Sequence, residues 1–211
     1  MKITDSSRVC RHILPIVLTA GLILPATGQA VVVDGIVKLG LDFGGDTLVA
    51  ATLISGSSTS TEKLKANEGL VLAGGVSISN DARNFFLDAT LGWKSEEINA
   101  SNQEFKFSRY PLDVLGFYGL PLGNPGKFTL RLGGGVTYHI NPKFSASGTL
   151  ANGSVSFDDA VGFVGQIDTV IRFGRSGPAL NAGLRYTSLD YEANGVTAKA
   201  NGAGLFVGGR F

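Results

Sequence analysis

Two-residue alternation of apolar and polar side chains recurs along most of this chain, and helical periodicity is hard to find in it. Phe85, Leu87, Ala89, Leu91 and Trp93 interleave with Phe86, Asp88, Thr90, Gly92 and Lys94; Phe128, Leu130, Leu132, Gly134, Val136 and Tyr138 interleave with Thr129, Arg131, Gly133, Gly135 and Thr137. Residues 161–173 and 180–187 repeat the pattern, and weaker versions lie at 37–43, 70–78, 110–118 and 203–211. Successive side chains of a strand point to opposite faces, so each segment has one apolar and one polar face. The pattern predicts eight strands, at 35–43, 69–79, 84–94, 104–118, 127–139, 159–174, 178–189 and 201–211. Residues 47–54 also read as strand and are expected as an extension within the first long connection. A ten-strand variant would recruit 143–150 with 154–157.

The connectors alternate in length. Short Gly, Pro, Asn and Asp-rich turns fall at 80–84, 122–126 and 174–178, while long polar stretches fall at 55–67, 95–103, 141–158 and 190–201. Short turns at one end and long loops at the other are the layout of a transmembrane β-barrel. The aromatics sharpen this. With the first strand running upward, Phe85, Tyr118, Phe128, Phe173 and Phe211 fall at the lower ends of strands. Phe43, Trp93, Tyr110, Tyr138, Phe163 and Tyr186 fall at the upper ends, and all eleven share the apolar face by parity. Two aromatic girdles are the mark of a lipid-facing surface, and the ten steps from Phe128 to Tyr138 give about 25 Å of height at a tilt of about 40°.

Composition removes other function classes. Residues 1–12 carry Lys2, Arg8 and Arg11, residues 13–25 are uncharged, and Gly28-Gln29-Ala30 ends the stretch in a small-x-small pattern. This predicts a secretory signal peptide over 1–30, cleaved after Ala30, and a barrel domain over 31–211. Cleavage removes three of the 18 basic and one of the 17 acidic side chains, leaving a net charge of about −1, which gives nucleic acid nothing to bind. It also removes Cys10, the one cysteine, so disulfides, thiolate metal sites and cysteine nucleophiles are excluded from 31–211. No cofactor or metal site is expected. The glycines at 202–208 are one residue off a dinucleotide fingerprint and open no helix.

These features resemble the small Gram-negative outer-membrane β-barrel superfamily that holds the OmpX-, OmpW- and OmpA-type membrane domains. The most specific part of the resemblance is the C-terminus, where Ala203, Leu205, Val207 and Gly209 lead on one face to the terminal Phe211. Leu205, Val207 and Phe211 are similar to the signal by which the barrel-assembly machinery recognises its clients. The resemblance implies an eight-stranded antiparallel barrel in the outer membrane, a monomer, in contact with membrane lipids and lipopolysaccharide.

On the inward face parity sets Lys38, Arg109, Arg131, Arg172, Arg185 and Arg210 against Asp42, Asp88, Asp113 and Asp168. An eight-stranded barrel is only wide enough for side chains to fill, and buried ions must pair, so a salt-bridged plug is expected. The alternative is a narrow conduit for small polar or amphipathic solutes, as in OmpW-like proteins. A third reading is a lipid A-modifying enzyme. It rests on His139, the one histidine after residue 30, with Ser145, Ser147, Asp158 or Asp159 as partners. The lipid A deacylases pair their histidine with a serine two positions later, and here that position is Asn141. The expected role is therefore non-enzymatic, with the long loops serving membrane integrity or surface contact. Lys63, Lys65, Lys94, Lys143 and Lys199 are expected at the outer rim, opposite lipopolysaccharide phosphates.

Overall fold

A computed structural model of the chain describes residues 31–55, 58–100, 103–123, 127–149, 151–174 and 177–211. The signal peptide expected at 1–30 lies outside them.

Eight long strands make the wall: β1 (Val31–Gly44), β4 (Gly69–Asn80), β5 (Phe85–Ala100), β6 (Gln103–Leu122), β7 (Phe128–Gly148), β9 (Ala160–Arg172), β10 (Ala179–Ser188) and β13 (Gly202–Arg210). They pair in the order β6-β5-β4-β1-β13-β10-β9-β7, and the β6–β7 pairing closes the ring. Every neighbour is antiparallel, including the seam between the first and last strands, where Leu39 faces Val207 and Leu41 faces Leu205. Closure leaves no free edge in the membrane, where an unpaired backbone group would cost several kcal/mol. Phe211 completes the seam: its backbone exchanges hydrogen bonds with Gly35 at 2.6 and 3.1 Å, and its ring covers the space where a Gly35 Cβ would stand.

The burial pattern follows the pleat. Odd positions of β1 such as Val37, Leu39, Leu41 and Phe43 are exposed, while Lys38 and Asp42 are buried. An apolar exterior around a charged interior is the reverse of a soluble barrel, and it fits a wall bathed in lipid. Phe163 and Phe211, at 71% and 73% exposure, mark the upper and lower girdles. Among the described residues no helix is long and apolar enough to cross a membrane, so the crossing is made by strands.

Above the girdle the architecture departs from open loops. Strand β2 (Thr47–Ser55) pairs with β3 (Ser58–Lys65), and β11 (Asp190–Ala193) pairs with β12 (Val196–Lys199). The second hairpin turns at Asn194-Gly195, both with positive φ (51° and 79°), as a two-residue turn between twisted strands requires. Strands β5, β6 and β7 run past the girdle, and β8 (Gly153–Ser156) adds to β7 through Lys143–Ser156 and Ala146–Gly153. The strand at 47–54 is thus an extension above the membrane. The ten-strand alternative is not realised: β8 pairs with β7 over 143–146 as a side hairpin outside the ring, which keeps the strand number at eight; Leu150 lies outside the described residues. Much of the four polar stretches read as loops is strand.

These extensions enclose a second apolar core. Leu64, Ile98, Phe107, Leu189, Tyr191, Ala198 and Ala200 are buried together, with Val49, Phe105, Phe144 and Phe157 packed against them. Phe107 meets Phe157 and Tyr191 edge-on at centroid distances of 5.6 and 5.4 Å. A bulge turns β7 into this cap. The register of β6 on β7 shifts between Ser108 and Tyr110, where Asn141 takes φ +50°, and Pro142 rather than Asn141 becomes buried. One extra residue reverses the in–out parity beyond it.

Candidate functional site

The charged lumen is built in two tiers. In the lower tier Asp88 on β5 accepts from Ser77 Oγ (2.6 Å), Arg210 Nη2 (2.7 Å) and Arg131 Nη1 (3.2 Å), with Lys38 Nζ 3.9 Å away. Arg131 grips Asp168 with two parallel bonds, Nε–Oδ1 at 2.7 Å and Nη2–Oδ2 at 2.8 Å, and Gln166 Nε2 adds a third donor at 2.7 Å. Two-pronged guanidinium–carboxylate pairing is the strongest neutralisation a buried carboxylate can have. The guanidinium also lies 4.3 Å from the Phe117 ring centre and 5.1 Å from that of Phe86. Gly133 makes this possible, because a Cβ there would stand 2.5 Å from the Phe117 ring and 2.1 Å from Gly116 O. Nearer the lower mouth, Asp34 joins Arg172 at 2.8 Å and Arg83 at 3.6 Å.

The upper tier is looser. Lys94 Nζ reaches Asp42 at 2.6 Å and Asn67 Oδ1 at 2.8 Å. Arg185 reaches Asp113 at 3.2 Å and Asp42 at 4.0 Å, and Thr137 Oγ1 donates to Asp113 at 2.5 Å. Arg109, wholly buried, gives Nη2 to Glu68 O at 2.9 Å and stacks on Phe107 at 4.5 Å; its Nε and Nη1 lack a well-formed hydrogen bond. Between the tiers Lys38, Gln166, Arg185 and Phe206 surround a void of about 20 Å³, room for about one water.

The structure therefore places Lys38, Asp42, Asp88, Arg109, Asp113, Arg131, Asp168, Arg172, Arg185 and Arg210 inside the barrel. The aromatics Phe43, Phe85, Trp93, Tyr110, Tyr118, Phe128, Tyr138, Phe163, Phe173 and Tyr186 lie on its outer face. Lys94 corrects the expectation of a rim lysine. It follows Trp93 on the inward parity and is 1% exposed, held by Asp42. Lys65 is paired with Glu68 at 3.8 Å, and Lys63, Lys143 and Lys199 are exposed. Asp34 and Asn67 were not readable as lumen residues. Asp34 precedes the expected start of its strand, and Asn67 reaches the lumen only because the β2–β3 hairpin folds back.

His139 sits where lumen and cap meet, at 1% exposure. Its Nδ1 is 2.5 Å from the Tyr191 hydroxyl, and its Nε2 has no partner. Burial pushes the Tyr191 hydroxyl up to about 12, so the phenol stays protonated and can donate to the imidazole. Asp159, one of the partners considered for a hydrolytic site, is engaged on the other side of the wall. It accepts from Tyr138 Oη at 2.7 Å and from the Asn141 amide at 2.8 Å, bracing the bulge. Asp158 is bound through its amide to Glu192 O at 2.8 Å. The geometry brings His139 to a tyrosine of the cap roof, and it reads as a strut between lumen and cap.

No family model and no curated protein matches the chain. Among solved structures it is similar to Neisserial surface protein A (NspA), with a TM-score of 0.52 and 13% identity over 86% of this chain and 98% of that one. A further similarity is to Ail, the attachment invasion locus protein of Yersinia pestis, with a TM-score of 0.47 and 10% identity over 85% and 99%. At 13% identity the likeness to NspA is one of fold alone, and the fold seen here is a closed eight-stranded antiparallel β-barrel.

Proposed function

We propose that this chain, an outer-membrane β-barrel by fold, is a closed, non-enzymatic anchor that holds a folded β-cap at the cell surface. The observation that supports this most is the filled lumen. Arg131, Arg210, Asp88 and Asp168 cross-link β5, β7, β9 and β13 through the barrel centre, and the cap core lies above them. A conduit would need those pairs to part, leaving buried charges uncompensated. On this reading residues 1–30 direct export and are removed, and Phe211 at the seam presents the chain to the assembly machinery. The barrel works as a monomer, and Lys63, Lys143 and Lys199 meet the phosphates of surrounding lipopolysaccharide. The cap serves surface contact, and the wall serves to carry it.

The test is complementation of a deletion strain by a variant in which short turns replace the β2–β3 and β11–β12 hairpins. The variant should still show heat-modifiable migration in SDS gels, the sign of a folded barrel, yet fail to restore the strain's surface phenotype or detergent resistance. Full restoration by the capless barrel would assign the role to the wall and overturn this reading.

A further inference from the structure

The β2–β3 hairpin rejoins the wall through residues 65–69, which cross β5 at Ser95 and Glu96, above the Trp93 girdle. The crossing is tight. Gly69, at φ +132°, leaves no room for a side chain, since a Cβ there would lie 2.5 Å from Ser95 O and 3.2 Å from Glu96 Cβ. The Glu96 carboxylate accepts the Lys65 amide and faces the Glu68 carboxylate across the crossing. Its Oε2 is buried without a hydrogen-bond partner.

Nearby cations are already committed. Lys94, on the same strand, is bound to Asp42 at 2.6 Å; Arg109, on β6, gives Nη2 to Glu68 O; Lys65 Nζ sits 3.8 Å from Glu68. Two carboxylates therefore share the root of a hairpin with no cation dedicated to the buried one. An ionised Glu96 has one oxygen on an amide and the other facing nothing, which is costly. Neutral, it keeps the Lys65 bond and loses the repulsion from Glu68.

We propose that Glu96 is a protonation latch for the cap: neutral, it holds the β2–β3 hairpin against β5, and ionised, it lets the hairpin swing away from the Phe107 core. This rests on the cap reading above and adds a regulator to it. Burial first, and Glu68 second, push the docked carboxyl up to about 7 from its ordinary 4.5. Released into water it would return to the ordinary value. Because the docked value is the higher one, docking is at full strength below about pH 4.5. It weakens tenfold per pH unit up to about 7 and is level above that, a change of about 300-fold in the docking equilibrium. The surface thus presents a sealed cap in acid and an openable apolar core at neutral pH.

The test is an electron-spin distance measurement in detergent-folded protein, on a Cys10→Ser background with labels at Lys63→Cys and Thr197→Cys, one on each cap hairpin. The expected result is one narrow distance at pH 4.5 and a second, longer population at pH 8. Glu96→Gln should keep the narrow distance at both pH values, and Glu68→Gln should move the midpoint downward. An unchanged narrow distance in the parent from pH 4.5 to 8 would overturn the latch and leave the folded cap intact. The same pH response in Glu96→Gln would also overturn it. Broad distributions at both pH values would instead remove the folded cap, and the proposed function with it.

Discussion

The two tiers of the lumen use the same residue types and complete their pairing to different degrees. Below, Asp88 and Asp168 gather Arg131, Arg210, Lys38, Ser77 and Gln166, and each carboxylate oxygen has a donor. Above, Arg109 uses one of its nitrogens on a carbonyl, His139 Nε2 and Asn67 Nδ2 lack hydrogen-bond partners, and Arg185 Nε only approaches Asp42 at 4.0 Å. The lower tier joins strands from around the closed ring, and only β7 and β9 among β5, β7, β9 and β13 are direct neighbours, so its members cannot move apart without distorting the ring. The upper tier takes partners from the cap: Asn67 and Glu68 from the hairpin return, Tyr191 from the second hairpin. The contrast separates a lock from a hinge. Below, every oxygen of the two central carboxylates is paired, although Arg210 Nε and the Asn181 amide lack partners; above, the unpaired groups include Asn67 of the fold-back and the Arg109 and His139 side chains that face it.

The sharpest way to break the lock is Arg131→Met. It strands Asp168 with Gln166 alone and deprives Asp88 of one guanidinium, a loss of about 3–5 kcal/mol for an uncompensated buried charge, read from urea unfolding in detergent. Gly133→Ala acts on the same tier through packing. It presses a methyl on Phe117 and the β6 backbone, and should cost about 1–3 kcal/mol in the same assay. Lys94→Met tests the upper tier. Asp42 keeps Arg185 at 4.0 Å, so the cost should be clearly smaller than for Arg131→Met; an equal or larger cost would erase the distinction. The smallest effect should come from Tyr191→Phe, which removes the hydroxyl facing His139 at a cost of about 1 kcal/mol. That loss should fall on the cap, as faster hydrogen exchange of β11 and β12 amides, with the barrel amides unchanged.

The sequence pattern carried the wall because lipid on one side and a packed lumen on the other force opposite chemistries onto alternate residues. Residues 85–94 and 128–139 show this without interruption, and the same parity that points Trp93 outward points Lys94 in. Nearness to the girdle, not parity, suggested a rim position for that lysine. The cap was hidden for a different reason. Its strands are wet on one face and rest on small residues such as Ala66, Ala198 and Ala200, so 58–65 and 190–199 read as polar connectors. Asn194-Gly195 was the one local signal available, a turn dipeptide between Tyr191 and Val196. At Asn141 the bulge reverses parity, so no single alternation runs from His139 to Phe144. The contact between His139 and Tyr191, and the fold-back that brings Asn67 to Lys94, join segments far apart in the chain and have no local signature.

The central claim is that the lumen is closed, and single-channel recording of the folded protein in planar bilayers tests it directly. The account predicts a silent membrane when insertion is verified by heat-modifiable migration of the recovered protein, at pH 4.5 and at pH 8 alike, because the lower tier stays locked whether or not the cap opens. Discrete conductance steps from the parent protein, altered by substitution of Arg131 or Arg172, would contradict it and make the charged interior a conduit.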